Sequence, residues 1–184
     1  MKQLIVIDCQ NDFISGSLAC HHAEEAVSTI IEYLNANDDT RVFYSQDWHS
    51  ESNKSFTENG GIWPVHCVAN QSGSALSDEF SKHLKNNHHQ PDVSNKYMKG
   101  QDDDVEEYSA FYATNKDGQI LFEQLEKEVV IAGIASEYCV LETTKELIKA
   151  GHTVTVLKDG LGYVDEETHQ KALQEYESLG VQWA

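Results

Sequence analysis

The sequence predicts an α/β fold, a three-layer sandwich with a central, mostly parallel sheet and helices on both faces. Short apolar runs alternate with segments of helical period along the chain. The runs are apolar throughout, as in strands buried on both faces. Strand, helix, strand in succession makes right-handed parallel crossovers the simplest connection. The 184 residues hold no internal repeat, and with 2 prolines no linker marks a boundary. Residues 1–184 therefore read as one domain, long enough to bury a core.

Leu4 to Ile7 is the first strand and ends at Asp8. Ala23, Val27, Ile30, Ile31 and Leu34 then recur at helical spacing. Arg41 to Ser45 is a second strand leading to Asp47, and Val93 to Met98 a weaker third, ending at Lys99. Between them the pattern is thin, and a helix through Ala75 to Leu84 is the expectation. Glu128 to Ala132 is a strong strand closed by Gly133. The helix after it carries Tyr138, Leu141, Thr144, Leu147 and Ile148 on one face, with Gly151 where a C-terminal glycine belongs. Thr153 to Leu157 is β-rich, a last helix starts near Asp165 with Glu166 and Glu167 in its first turn, and Val181 to Trp183 could add a short strand.

Hydrophobic residues make up 40% and charged residues 24%, as in ordinary globular proteins. The formal charge of -18 excludes the basic surface that nucleic acid or anionic lipid would need. No apolar run approaches the ~20 residues of a membrane span, and Met1 to Asp8 turns acidic too soon for a signal peptide. The expected compartment is the cytoplasm, where Cys9, Cys20, Cys67 and Cys139 stay reduced. None of them forms a CxxC pair, so no structural zinc cluster is expected.

In a parallel sheet the ligand crevice lies beyond the carboxyl ends of the strands. Asp8, Asp47 and Lys99 each end a strand, and Cys139 opens a helix just after one, so all four converge on one edge. A cysteine at a helix N-terminus is favoured as thiolate, and the small residues of Gly133 to Ser136 would let backbone N–H groups form an oxyanion hole. The same cysteine could equally be a buried core thiol. Asp8 could carry the proton and Lys99 offset developing charge, although either residue alone reads more simply as a turn aspartate or a solvated lysine. Asp47 and His49, two apart on extended chain, could grip one metal ion with His66 as third ligand, or form a plain polar loop. Such an Asp-His-His set suits zinc, iron or manganese. Phe13, Trp63 and Tyr108 are candidates to line a flat aromatic pocket, core packing being the alternative. The pairs His21-His22 and His88-His89 read as exposed and receive no role.

Taken together, these residues resemble the nicotinamidase/pyrazinamidase group of the isochorismatase-like hydrolases. The matching pieces are Ile7 to Phe13, Gln46 to His49, Trp63 to Cys67, Lys99-Gly100 with Tyr108 to Phe111, and Ala132 to Val140. The resemblance implies Cys139 as nucleophile, Asp8 as general acid/base and Lys99 as third catalytic member. It implies Asp47, His49 and His66 as ligands of one divalent metal, zinc first among the candidates, and Phe13, Trp63 and Tyr108 as ring-pocket residues. It also implies a cis peptide at Ile134–Ala135 and an oxyanion hole from the N–H groups of Ala135 and Cys139. The implied activity is hydrolysis of nicotinamide, with pyrazinamide, in NAD salvage, on a small-molecule amide partner; a homo-oligomer is left open. One departure stands out: many relatives carry a histidine where this chain has Asn53, so Ser55, Glu58 or water would complete the metal shell. The rival readings are a superfamily amidase for carbamoyl or ureide substrates, and a non-catalytic metal- or redox-responsive binding protein on the same scaffold.

Overall fold

The computed structural model describes residues 2–184. Its sheet has six strands: β1 (Gln3–Ile7), β2 (Arg41–Asp47), β3 (Lys96–Lys99), β4 (Glu128–Gly133), β5 (Thr153–Leu161) and β6 (Gln182–Trp183). Their order is β3-β2-β1-β4-β5-β6, and every neighbouring pair is parallel. The helices are α1 (Asn11–Ile14), α2 (Ala23–Ala36), α3 (Glu79–His83), α4 (Cys139–Lys149) and α5 (Glu166–Leu179).

The strands are apolar on both faces because both faces are covered. Leu4 and Val6 of β1 pack with Val27, Ile30 and Leu34 of α2 and Phe80 of α3. Ile5 and Ile7 point the other way, toward Val140 and Leu147 of α4 and Ala172 and Tyr176 of α5. This two-sided alternation is the three-layer sandwich read from the sequence.

Helix limits follow local chemistry. Asp165 caps α5, its carboxylate accepting the Thr168 N–H at 3.0 Å. Two expectations need correction. The segment 75–84 is helical only over Glu79–His83, because Ser72–Ser74 form a separate 3₁₀ turn and the chain around Ala75 is extended. Tyr138 is the N-cap of α4, with φ -126° and ψ -98°, rather than a residue of the helix itself.

The order of strands reverses at β1. The chain runs outward through β2 and β3, then returns to β4 on the other side of β1 and continues through β5 and β6. A crevice opens beyond such a reversal, and the chain following β1 and β4 borders it. Gly133, at the end of β4, has φ +130°, and a Cβ there would lie 2.1 Å from the Ile7 carbonyl oxygen. Only glycine lets β4 approach β1 this closely before turning into the loop that leads to Cys139.

Candidate active site

Asp8 follows β1 with φ +46°, in the left-handed region an aspartate tolerates. The turn directs its carboxylate into the crevice, fully buried. Oδ1 accepts the Ser45 hydroxyl at 2.6 Å, and Oδ2 lies 2.9 Å from Lys99 Nζ. The Lys99 ammonium also pairs with Asp47 Oδ1 and lies 3.4 Å from Cys139 Sγ. The register that pairs Asp47 with Lys99 across β2 and β3 sets this contact. One ammonium thus links two carboxylates and a thiol in a site sealed from water. The carboxylates and the Cys139 sulfur form a set that could bind a metal by spacing alone, but Lys99 already supplies its positive charge.

Electrostatics divides the roles. Burial raises the Asp8 carboxyl above its ordinary value, with Lys99 pulling against it. Burial would do the same to Asp47, but the ammonium of Lys99 and the imidazoles of His49 and His66 hold it well below the usual range. Burial lowers an amine, yet Asp47 and Asp8 keep Lys99 well above its ordinary value, hence charged. The Cys139 thiol is driven well up by burial, with Lys99 opposing and the Asp8 and Asp47 carboxylates adding to the rise. The start of α4 would favour a thiolate; burial outweighs it, and the resting species is the thiol.

Asp47 turns its second oxygen the other way. Oδ2 lies 3.5 Å from His49 Nε2 and 3.9 Å from His66 Nε2. Each imidazole is oriented by its far nitrogen: His49 Nδ1 pairs with the Gly100 carbonyl at 2.8 Å and His66 Nδ1 with the Pro64 carbonyl at 2.7 Å. A carbonyl accepts only, so both Nδ1 atoms carry a proton, and both Nε2 atoms are turned toward Asp47 Oδ2, which favours the protonated His49 ring until a cation takes that proton's place. All three donor atoms lie within 4.8 Å of one another and are buried. Two imidazoles, neutral when they coordinate, and a carboxylate, with carbonyls holding both Nδ1 atoms, fit a divalent metal ion.

Asn53 is not part of that set. Its Nδ2 donates toward the carbonyls of Gly100 and Asp102, both at 3.4 Å, and its Oδ1 accepts the Ser55 N–H at 2.9 Å. It therefore steadies the same Gly100 carbonyl that orients His49. Glu58 is exposed, whereas the Ser55 hydroxyl is buried without a hydrogen-bond partner.

Above the cluster lies a narrow cleft lined by Phe13, Trp63, Tyr108, Tyr138, His49 and Cys139, among others. Trp63 Nε1–H donates to the Tyr108 hydroxyl at 3.0 Å, and the Trp63 ring meets Tyr138 edge-on at 5.0 Å. All three ring residues expected from the sequence are therefore on its wall. The loop before Cys139 contains the expected cis peptide at Ile134–Ala135. Around it the N–H groups of Ile134, Ser136, Tyr138 and Val140 donate to carbonyls at 2.8–3.1 Å. Those of Ala135 and Cys139 have no acceptor among the described residues.

Sequence reasoning missed the supports. Gln10 clamps the Asp47 backbone from both sides, its amide donating to the Asp47 carbonyl and accepting the Asp47 N–H, each at 2.8 Å. Ser45 holds Asp8, and Glu107 accepts the Gly100 N–H at 2.7 Å. Ser45 had a signal, since it sits two residues before Asp47 on one strand and so shares its side. Tyr138 also had one, as neighbour to the cysteine; Gln10 and Glu107 had none. His89, read as exposed, is buried in a 3₁₀ turn.

A thiol, a carboxylate and an ammonium meeting beneath an aromatic cleft, beside a metal-competent donor set, define a cysteine hydrolase site on a parallel sheet. The isochorismatase domain model matches residues 2–183. The chain belongs to the isochorismatase family, in its nicotinamidase/pyrazinamidase group. It is 34% identical over 197 aligned positions to the nicotinamidase of Saccharomyces cerevisiae, covering 86% of this chain and 87% of that protein. Among solved structures it is similar to the pyrazinamidase of Pyrococcus horikoshii in complex with zinc (31% identity, TM-score 0.83, 100% of this chain and 98% of that one). It is also similar to the yeast nicotinamidase bound to the inhibitor nicotinaldehyde (30% identity, TM-score 0.83, 100% and 99%). No described helix is long and apolar enough to cross a membrane.

Proposed function

We propose that this protein is a nicotinamidase that hydrolyses nicotinamide, and pyrazinamide with it, to the ring carboxylate and ammonia in NAD salvage. The observation that carries the reading is the approach of Lys99 Nζ to Asp8, Asp47 and Cys139 at the floor of an aromatic cleft. The metal-competent set beside it favours a ring amide over the carbamoyl or ureide substrates of other superfamily members. In this reading residues 1–184 act as one catalytic domain in the cytoplasm.

Asp8 takes the thiol proton as Cys139 Sγ bonds to the amide carbon. The carbonyl π electrons move to oxygen, where the free N–H groups of Ala135 and Cys139 receive the charge. The tetrahedral species collapses, the C–N bond breaks, and Asp8 returns its proton to the departing nitrogen, giving ammonia and a thioester. Water then adds to the thioester carbon, losing a proton to Asp8. The C–S bond breaks, and Asp8 reprotonates the sulfur. Burial suits Asp8 to this shuttle by raising its pKa above the ordinary carboxylate value, while the Lys99 ammonium favours its ionised form. Lys99 stays charged throughout and offsets the negative charge that moves among Asp8, sulfur and oxygen. Phe13, Trp63 and Tyr108 hold the ring flat. Asp47, His49 and His66 would hold one divalent ion, zinc by preference with iron and manganese fitting the same donors, to supply Lewis-acid coordination for a ring nitrogen and for water.

The test is ammonia release from nicotinamide by the metal-loaded protein, beside Cys139→Ala and a chelated sample. Loss in both controls is the expected result. Activity surviving in Cys139→Ala would remove the thioester route. No release by the loaded wild type would sink the substrate assignment and direct the search to carbamoyl and ureide amides.

A further inference from the structure

The loop that carries the two free N–H groups is held from outside by a hydrogen-bonded chain the proposed reaction does not use. Ser136 is fully buried between Ala135 and Cys139, and each of its polar groups is tied to another element. Its N–H donates to the Gly162 carbonyl at 2.8 Å, and its carbonyl accepts the buried Tyr176 hydroxyl of α5 at 2.6 Å. Its hydroxyl donates to Glu137 Oε2 at 3.1 Å and lies 2.6 Å from His169 Nδ1, also on α5. A hydroxyl has one proton. With that proton on Glu137, His169 Nδ1 is the donor, and the chain runs His169 to Ser136 to Glu137.

Glu137 extends the tie. Its Oε1 accepts the N–H groups of Val164 at 2.7 Å and Asp165 at 2.9 Å, and Val164 is part of the cleft wall. The imidazole of His169 is oriented by the Tyr163 ring, stacked on it at 4.3 Å and 15°. The charged and titratable groups facing His169 are Glu137 from the loop, Glu166 from its own helix and His22 from the entry to α2.

We infer that His169, acting through Ser136 and Glu137, is a positioning residue that fixes the backbone of loop 134–139 so that the Ala135 and Cys139 N–H groups converge on the amide oxygen. The inference rests on the nicotinamidase reading for its kinetic form, but its structural content stands apart from it. His169 is at least 30 residues from every catalytic or metal-binding position assigned above, Cys139 being the nearest, and shares a hydrogen bond with none of them. The Ser-His-Glu grouping is not a nucleophilic triad. The carboxylate bonds to the serine rather than to the imidazole, and Ser136 is sealed from the cleft.

The test compares His169→Phe, which keeps a ring against Tyr163 but loses the donor, with His169→Asn, whose amide can restore a donor near the Nδ1 position. Ammonia release should show kcat about tenfold lower in His169→Phe with KM within about twofold, less than the ~10²–10³ of deleting an oxyanion donor outright. His169→Asn should recover kcat to within about twofold of wild type. Amide hydrogen exchange of segment 133–140 should rise in the Phe variant and return in the Asn variant. Ser136→Ala should reproduce the Phe phenotype, and the double variant should add nothing further. Wild-type kcat and exchange in His169→Phe would overturn the inference, as would equal loss in the Phe and Asn variants. If the wild type releases no ammonia, the functional reading fails, and the exchange comparison alone decides whether His169 holds the loop.

Discussion

Replacing Lys99 with methionine tests the buried charge cluster directly. The change keeps an unbranched chain of similar length and deletes the ammonium. Lys99 Nζ lies 2.9 Å from Asp8 Oδ2 and bonds Asp47 Oδ1, and the three side chains are 0%, 0% and 8% exposed. Water cannot replace the lost partner. Removing one member of a buried pair costs about 3–5 kcal/mol. In a chain of this size 1 kcal/mol moves Tm by about 2–4 °C, so metal-free Lys99→Met should melt roughly 6–20 °C below wild type at neutral pH. The deficit should depend on pH in a defined sense. Without the ammonium, Asp8, already raised in the wild type, rises further and Asp47 rises above its unfolded value, so the folded state binds more protons. Stability of the variant therefore falls as pH rises through and beyond the ordinary carboxylate range, and the gap to wild type narrows on acidification from neutrality. In the wild type Asp47 behaves oppositely. Its depressed pKa contributes stability that is present above its unfolded value and is lost as pH falls through the folded one. Differential scanning calorimetry of both proteins from pH 7.5 to 5 is the assay. A Tm unchanged at neutral pH, or a gap that widens on acidification, would refute the account of the cluster. Lys99→Met combined with Asp47→Asn should recover part of the loss.

Other outcomes follow from the same geometry. Asn53→Ala should weaken metal affinity by about 10–100-fold without removing a ligand, because Asn53 steadies the carbonyl that orients His49; equilibrium dialysis against zinc would show it. Gly100→Ala should lose metal and stability together, since Gly100 has φ +68° and a Cβ would come 2.5 Å from His49 Cε1; retained zinc stoichiometry with an unchanged Tm would contradict this. Trp63→Ala should raise KM for nicotinamide about tenfold with a smaller effect on kcat, because the Trp63 ring and its bond to Tyr108 shape the cleft wall rather than the reacting atoms.

The order of elements and the meeting of Asp8, Asp47, Lys99 and Cys139 were legible in the amino-acid sequence for a local reason. Runs such as Leu4 to Ile7 are apolar on both faces, which only a covered parallel sheet requires, and such a sheet sends Asp8, Asp47, Lys99 and the Cys139 loop to one edge. Burial and the ion pair between Asp8 and Lys99 then set these residues apart from turn aspartates and solvated lysines. Tertiary structure decided what local pattern could not express. The β2–β3 register sets Asp47 beside Lys99, so that one carboxylate serves both the ammonium and the metal set. Burial, which depends on every layer at once, outweighs the pull of the helix N-terminus and holds Cys139 toward the thiol form. Asn53, a departure in a ligand position when read along the chain, is in space a brace for Gly100. Gln10, Glu107 and the tie from α5 to Ser136 join residues 33 to 40 or only 7 positions apart. No periodicity records such bonds, because they exist only once the layers have packed.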